Sequence, residues 1–364
     1  MTVKILVLSD RPPQGLKSAD AYETRLAGLR LGLEANGAQT DLLSLRTLRV
    51  RGPHLLFWLN AREIARRARG YDAIHAAGAG AAVAAAAAKL FNRHLAIFDV
   101  HGDELMETRL EYQARPSLRG LYRVIQSAIL TALARRLADC LLMVSGPFYE
   151  RYRARGVPLD RMIIVRNGVD AAQFTPAPPR DDGLLRFVYA GSFQAWQAMD
   201  VLLEAMAQNV SDRMRFHLIG FGPRDQALKA TFAARLGERV TLEDRVPASE
   251  LPHKLAAADV LLIPRTRHPA MQGGLPSKFA EYLAMGRPLI VTDVDETATF
   301  VHDYRCGLVC SPTVEGFAAA LRQAAAWTAD ERRVMGENAR RLAETVFDWR
   351  VIAGAYLKAL QEKH

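Results

Sequence analysis

Two series of short apolar runs alternating with helical stretches, split by a proline-rich segment, constrain this chain more than any other feature. In the first half KILVLSD, QTDLLSL, DAIHA, LAIFDVHG, CLLMVSG and RMIIVRNGVD read as strands. Helical patterning falls between them, near 21–35, 55–69, 76–90 and 117–138. Residues 171–184 (AAQFTPAPPRDDGL) hold three prolines and few large apolar side chains, as a linker does. The series then restarts with LRFVYAG, RFHLIGFG, RVTLED, DVLLIP, PLIVTD and CGLVC, again separated by helical stretches, and helices run on to the end. Runs that are apolar throughout suit strands covered on both faces, and regular β–α alternation builds parallel sheets flanked by helices. The expected fold class is α/β, with two doubly wound Rossmann-like domains over 1–175 and 176–345 and a terminal segment over 346–364. Ligands in such folds bind beyond the carboxyl ends of the strands, which places the expected site in a cleft between the two domains.

Composition narrows the function. Of 364 residues, 50% are hydrophobic and 24% charged, enough for two buried cores and without the signature of disorder. The net charge of +9 is localised: residues 1–175 carry 25 Lys/Arg against 16 Asp/Glu, whereas the rest carries 23 of each. A basic half can face nucleic acid, an anionic membrane or an anionic substrate, or reflect an arginine-rich composition. Three cysteines, Cys140, Cys306 and Cys310, give no disulfide framework and no paired zinc spacing. The first apolar run, Ile5–Leu8, is too short for a signal segment, and the Ala-rich run 76–90 is too short to span a bilayer. A cytoplasmic location is expected, with peripheral contact to the inner membrane face. No GxGxxG follows the first strand, which leads into DRPPQG, so a nicotinamide oxidoreductase is disfavoured.

Several segments then resemble, in order, the retaining glycosyltransferases of family 4 (glycosyl transferases group 1), which have the GT-B fold. They are VRNGVDAAQFTP, YAGSFQAWQAMDVLLEAM, LIGFGP, VPASELPHKLAAADVLLIP, GLPSKFAEYLAMGRPLIVT and FDWRVIAGAYLKAL. The resemblance implies a nucleotide-diphosphate-sugar donor held by the second half, and a last helix that returns to the N-terminal domain. It implies that Glu281 accepts hydrogen bonds from the donor's ribose hydroxyls, a role suited to a carboxylate. The first Glu of the family's paired-Glu motif is replaced here by Gly273, in a GLPSK-type variant. Lys278 sits three residues before Glu281, on the same helical face. An ammonium at a helix N-terminus makes sense if a diphosphate occupies that end. Backbone N–H groups of Gly273, Gly274 and Leu275 add donors, and Arg265 is a further cation candidate.

The first donor-domain loop opens at Gly191, and the family's basic residues there are replaced by Ser192 and Gln197. Gly220 and Gly222 resemble the turn beneath the nucleotide, and Arg245 and Val246 sit where relatives contact the base. In the first domain His101 matches the His that relatives place near the transferred sugar, and Asp103 is a second catalytic candidate. Leaving-group stabilisation by cations and backbone donors needs no metal, and Asp293-Val-Asp295 reads as a loop acid pair. No cofactor is therefore expected beside the donor, which is a co-substrate.

The expected activity is sugar transfer to a glycan or lipid-linked acceptor in bacterial-type glycan or glycolipid assembly. A nucleotide-sugar epimerase and a non-catalytic nucleotide-sugar-binding protein are the alternatives. The stretch LLFWLNAREIARRAR (55–69) is basic and amphipathic, either a membrane-surface helix or an ordinary domain helix. Nucleic acid is not expected, because the basic residues do not interleave with aromatics in a known module.

Overall fold

A computed structural model describes residues 2–10, 21–48, 54–178, 180, 182–209, 211–268 and 273–363; the DRPPQG stretch after Asp10 lies outside them. Twelve strands form two six-stranded sheets among the described residues. The first contains β1 Lys4–Ser9, β2 Gln39–Ser44, β3 Ala73–Ala77, β4 Leu95–Val100, β5 Cys140–Met143 and β6 Met162–Ile164, in the order β2-β1-β3-β4-β5-β6. The second contains β7 Leu185–Ala190, β8 Met214–Phe221, β9 Val240–Asp244, β10 Val260–Ile263, β11 Leu289–Thr292 and β12 Gly307–Cys310, in the order β12-β11-β10-β7-β8-β9. Every pairing is parallel. The central strands are buried along their whole length, which is why they read as unbroken apolar runs.

The chain divides into two compact units, one ending at Arg166 and resuming at Trp349, the other spanning Asn167–Asp348. This differs from boundaries at 175 and 345. The proline-rich segment is tied to the second unit: the guanidinium of Arg340 donates to the Phe174 carbonyl and that of Arg287 to the Ala177 carbonyl. Val169 also bridges Asp348.

The helix Trp349–Gln361 packs in the first unit, burying Trp349, Ala353, Tyr356 and Leu360 beside Ile5, Leu29 and Ile97. It is admitted by two glycines of the helix Ala21–Ala35. A Cβ on Gly28 would lie 2.1 Å from the Trp349 ring, and one on Gly32 would lie 2.2 Å from the Trp349 carbonyl oxygen. Neither position can carry a side chain without moving the helix.

Beneath that contact lies a buried ionic cluster. Arg25 donates from Nε and Nη2 to the two Asp99 oxygens at 2.9 and 2.7 Å, and to the carbonyls of Val165 and Arg166 at 2.9 and 3.1 Å. His75 Nε2 approaches Asp99 to 3.3 Å, and its Nδ1 lies 3.2 Å from the Tyr356 hydroxyl. Burial alone would raise the Asp99 pKa; the Arg25 charge, aided by hydrogen bonds from His75 and Arg25, holds it far below the usual carboxylate range.

Two local readings change. Residues 55–69 are not one helix: a 3-10 stretch His54–Asn60 leads into the helix Ala61–Arg67, whose Ile64 faces the core. A separate helix, Glu104–Ala114, precedes the long one at Leu118–Leu137; it is capped by Asp103 and carries Glu104 and Glu107 in its first turn. No described helix is long and apolar enough to cross a membrane.

Candidate active site

In the second sheet β7 and β10 are neighbours although their chain connections run to opposite sides, so the order reverses between them. Their carboxyl ends therefore open a crevice, the usual ligand position in an open parallel sheet. The loops after β7 and β8 meet there at very short range. Gly191 donates its N–H to the Ile219 carbonyl at 3.0 Å. Gly220 has φ +119°, and a Cβ on it would lie 2.2 Å from the Gly191 oxygen. Only glycine permits that approach. Phe193 stacks on Phe221 at 3.9 Å between ring centroids and pins the first loop down.

The helix Ser277–Ala284 supplies the other wall. Phe279, Ala280, Tyr282 and Leu283 bury its inner face. The Tyr282 hydroxyl accepts from the Ala190 N–H at 2.6 Å and donates to the Ala190 carbonyl at 3.1 Å, which locks the helix to the end of β7. At its N-terminus stands Pro276, with no side-chain cap. The first N–H groups of the helix thus receive no capping bond from that residue.

Lys278 and Glu281 share one face of this helix. The Lys278 side chain is half-buried, but its Nζ is wholly buried and has no hydrogen-bond partner among the described residues. It rests 4.1 Å from the centre of the Tyr189 ring, a cation–π contact. A Cβ on Gly191 would lie 2.2 Å from this Nζ, so the amine faces the glycine loop directly. Burial pushes its pKa down to about 7, aided by the Arg265 charge and opposed by Glu281. Burial likewise pushes Glu281 up to about 7, against the pull of Lys278. An amine buried without a partner among the described residues and a carboxyl held above its usual range, both beside a glycine loop and a helix N-terminus, make a site suited to an anion carrying hydroxyl donors.

Arg265 belongs to the frame of this site. Its guanidinium pairs with Asp295 in the buried interior and donates to the Gly274 carbonyl at 3.3 Å; its backbone N–H donates to Thr292 Oγ1 at 3.0 Å. Asp295 also caps the helix Glu296–Asp303 through the Thr297 N–H. Asp295 is thus a buried counter-ion and Asp293 pairs with Arg267 at 3.1 Å, both in the turn after β11 where the sequence placed a loop.

The remaining candidates take varied positions. Gly273 has φ +94°. Leu275 is buried, and its carbonyl accepts from Asn167 Nδ2 at 2.9 Å. The Ser192 carbonyl accepts from the Tyr189 hydroxyl. Gln197 is buried with its Oε1 unpaired among the described residues. Gly222 donates to Asp225 at 2.8 Å, Arg245 is exposed beside it, and Val246 packs on the core.

In the first unit His101 lies edge-on to Tyr22, 5.0 Å between ring centroids. Asp103 accepts from the Met106 N–H at 3.0 Å and pairs with Arg151 at 2.8 Å, so both its oxygens are engaged in structure. That placement favours a capping role over catalysis. Among the described residues, no group of three or more His, Cys, Asp or Glu is placed to hold a metal ion.

Sequence reasoning gave no role to Tyr189, Tyr282 and Asn167, although all three lie within the quoted segments YAGSF, GLPSKFAEYLAM and NGVD, and it placed Asp295 only in a loop.

Two family models match the chain: "Glycosyltransferase Family 4" over residues 7–173 and "Glycosyl transferases group 1" over 185–326. The "Putative colanic acid biosynthesis glycosyltransferase WcaL" of Escherichia coli K12 is 26% identical over 237 residues, 62% of this chain and 57% of that protein. The chain therefore aligns with little more than half the length of this curated relative. Among solved structures, sucrose-phosphate synthase from Thermosynechococcus elongatus superposes with a TM-score of 0.74 at 19% identity, covering 99% of each chain. Anabaena HepE in complex with UDP-glucose superposes at 0.70 and 17% identity, again over 99% of each.

Proposed function

With a family 4 domain in its first half and a group 1 domain in its second, the chain is a glycosyltransferase of the GT-B type, and from that premise we propose that it transfers a sugar, with retention, from a nucleotide-diphosphate-sugar to an acceptor in bacterial-type glycan or glycolipid assembly. The observation that carries this reading is the buried Lys278 Nζ, which has no acceptor among the described residues and faces the Gly191 loop. A diphosphate there supplies the missing counter-charge, and the uncapped N–H groups of the helix Ser277–Ala284 add donors. Glu281, on the same face, takes the ribose hydroxyls. As the sugar–phosphate bond breaks, charge grows on the diphosphate, and a preorganised cation and backbone donors stabilise it there. Arg265 acts indirectly, holding the Gly274 carbonyl and lowering the Lys278 pKa. His101 is the residue proposed to face the transferred sugar.

The Anabaena structure with UDP-glucose supports a nucleotide-sugar donor, and the E. coli relative's name supports polysaccharide assembly as the setting. The test is a melting screen over UDP-, GDP-, ADP- and dTDP-sugars. One donor is expected to stabilise the chain, by about 2.7 kcal/mol at a hundredfold excess over Kd. Glu281→Ala should lose most of that shift. Nucleotide diphosphate should appear only with acceptor present, and the product's anomeric configuration, read by NMR, should match the donor's. A screen in which no nucleotide-sugar moves the melting point would refute the proposal.

A further inference from the structure

The loop after β7 holds a strained residue. Ala198 is buried and sits in the left-handed region at φ +43°, although it is not a glycine. That conformation is unfavourable for a residue with a Cβ and persists only where the surroundings enforce it, as they do at many binding sites. Ala198 joins the 3-10 turn Ala195–Gln197 to the helix Met199–Gln208, so its kink sets where that turn points.

The turn reaches across the crevice between β7 and β10. The Trp196 carbonyl accepts from the Thr266 N–H, in the loop after β10, at 3.0 Å. The Trp196 ring lies against the His268 ring, with 5.8 Å between centroids and a tilt of 46°. Both side chains are half-buried, so an aromatic surface is fixed at the crevice without being sealed into a core. The arginines of the same loop are already matched, Arg265 with Asp295 and Arg267 with Asp293. The wall at this point is therefore aromatic rather than charged.

The direction of the donor identifies what meets that wall. Glu281 takes the ribose, and Lys278 with the N-terminus of the helix Ser277–Ala284 takes the diphosphate. Glu281 lies three residues, about 4.5 Å, further along the helix than Lys278. The donor thus runs from ribose toward the helix N-terminus, and its sugar continues past that end, toward the chain that arrives from β10 and carries His268. We propose that Trp196, backed by His268, determines donor specificity by stacking on the carbon-bound hydrogens of one face of the transferred sugar. Contacts to ribose and diphosphate accept any sugar on the same nucleotide, whereas a flat apolar wall favours a pyranose with an unbroken C–H face. The assignment rests on the donor reading and gives it a residue that chooses among sugars.

The test is calorimetric titration of the full chain with UDP, GDP, ADP and dTDP, and with UDP-glucose, UDP-galactose, GDP-mannose, GDP-fucose, ADP-glucose and dTDP-glucose. For the conjugate that wild type binds best, Trp196→Leu should weaken binding about tenfold and change binding of the bare diphosphate less than about twofold. Preference among sugars on one nucleotide should narrow in the same variant. Trp196→Phe keeps a smaller ring and should lose less than Trp196→Leu. Both replacements are large and apolar, and the Thr266 bond is made to the backbone, so both variants should melt close to wild type. A Trp196→Leu variant that keeps the wild-type preference, or that loses diphosphate and conjugate equally, overturns the assignment and leaves the donor reading standing. A wild type that binds none of these compounds defeats the donor reading, and the assignment with it.

Discussion

Lys278→Met is expected to yield a free protein that melts higher than wild type and no longer responds to the nucleotide-sugar donor. The Lys278 Nζ is buried without a hydrogen-bond partner among the described residues, and burial lowers its pKa to about 7. Methionine keeps the stem and removes the charge. Replacing buried charge with apolar atoms of similar volume is often stabilising, by about 1–4 kcal/mol, part of which the lost Tyr189 contact offsets. The pH dependence has a definite sign. A lysine whose folded pKa lies below its unfolded value binds fewer protons folded than unfolded between the two. Its destabilisation is complete below about 7 and fades as pH rises toward the ordinary value of 10.5. The melting advantage of the variant should therefore be largest at and below neutral pH and shrink under alkaline conditions. A variant that melts below wild type at neutral pH, or that keeps the donor shift, would sink this assignment. The trade is the usual one at functional sites, where stability is given up for a group held ready for its ligand.

Arg25→Met should have the largest effect on folding, a loss of about 3–5 kcal/mol, because it strands a buried carboxylate. Arg25 and Asp99 are both almost wholly buried, and the change also leaves the Val165 and Arg166 carbonyls short of a donor. Arg25→Met with Asp99→Leu should recover much of the loss, since neither charge then remains. In the single variant Asp99 no longer has its counter-charge and resists ionising when folded. The deficit should therefore narrow below the unfolded carboxylate pKa of about 3.9, where both states are protonated. Urea titrations of wild type, both single variants and the double variant across pH measure this directly. A deficit in Arg25→Met below about 1 kcal/mol would mean that the cluster is not held as a buried ion pair.

Legibility in the sequence tracked the range of the interaction. The central strands were readable because burial on both faces leaves unbroken apolar runs, the half-exposed edge strands β2, β6, β9 and β12 because they fall at regular places in the alternation, and the glycines at 191 and 220 as strand-end turns. Lys278 and Glu281 could be placed together because three-residue spacing on a helix is a local rule. The partners that give them meaning are distant in the chain: Tyr189 beneath Lys278, Asp295 against Arg265, Tyr282 clamping Ala190. Nothing periodic links such positions. The same limit hid Asp99 as the partner of Arg25, and it hid the linker's attachment, because prolines signal a break in regular structure without saying which unit holds the segment. The helix Glu104–Ala114 was missed despite a local cap at Asp103, since its outward face is too polar to show a clear stripe. In the Leu118–Leu137 helix the helical period was plain, but period alone does not say which side faces water.

The placement of Trp349–Gln361 within the first unit has a consequence for biosynthesis. On the ribosome, the strands and helices up to Arg166 emerge long before the segment that covers Ile5, Leu29 and Ile97. Until residues 349–361 appear, the notch at Gly28 and Gly32 has no tryptophan to receive. The stretch Asn167–Asp348, which carries the whole second sheet, is made before residue 349 and can finish its core first, while the earlier-made half waits with an apolar face uncovered. Uncovered apolar surface of this kind favours aggregation, so a nascent chain stalled before Trp349 is expected to aggregate more readily than the finished chain.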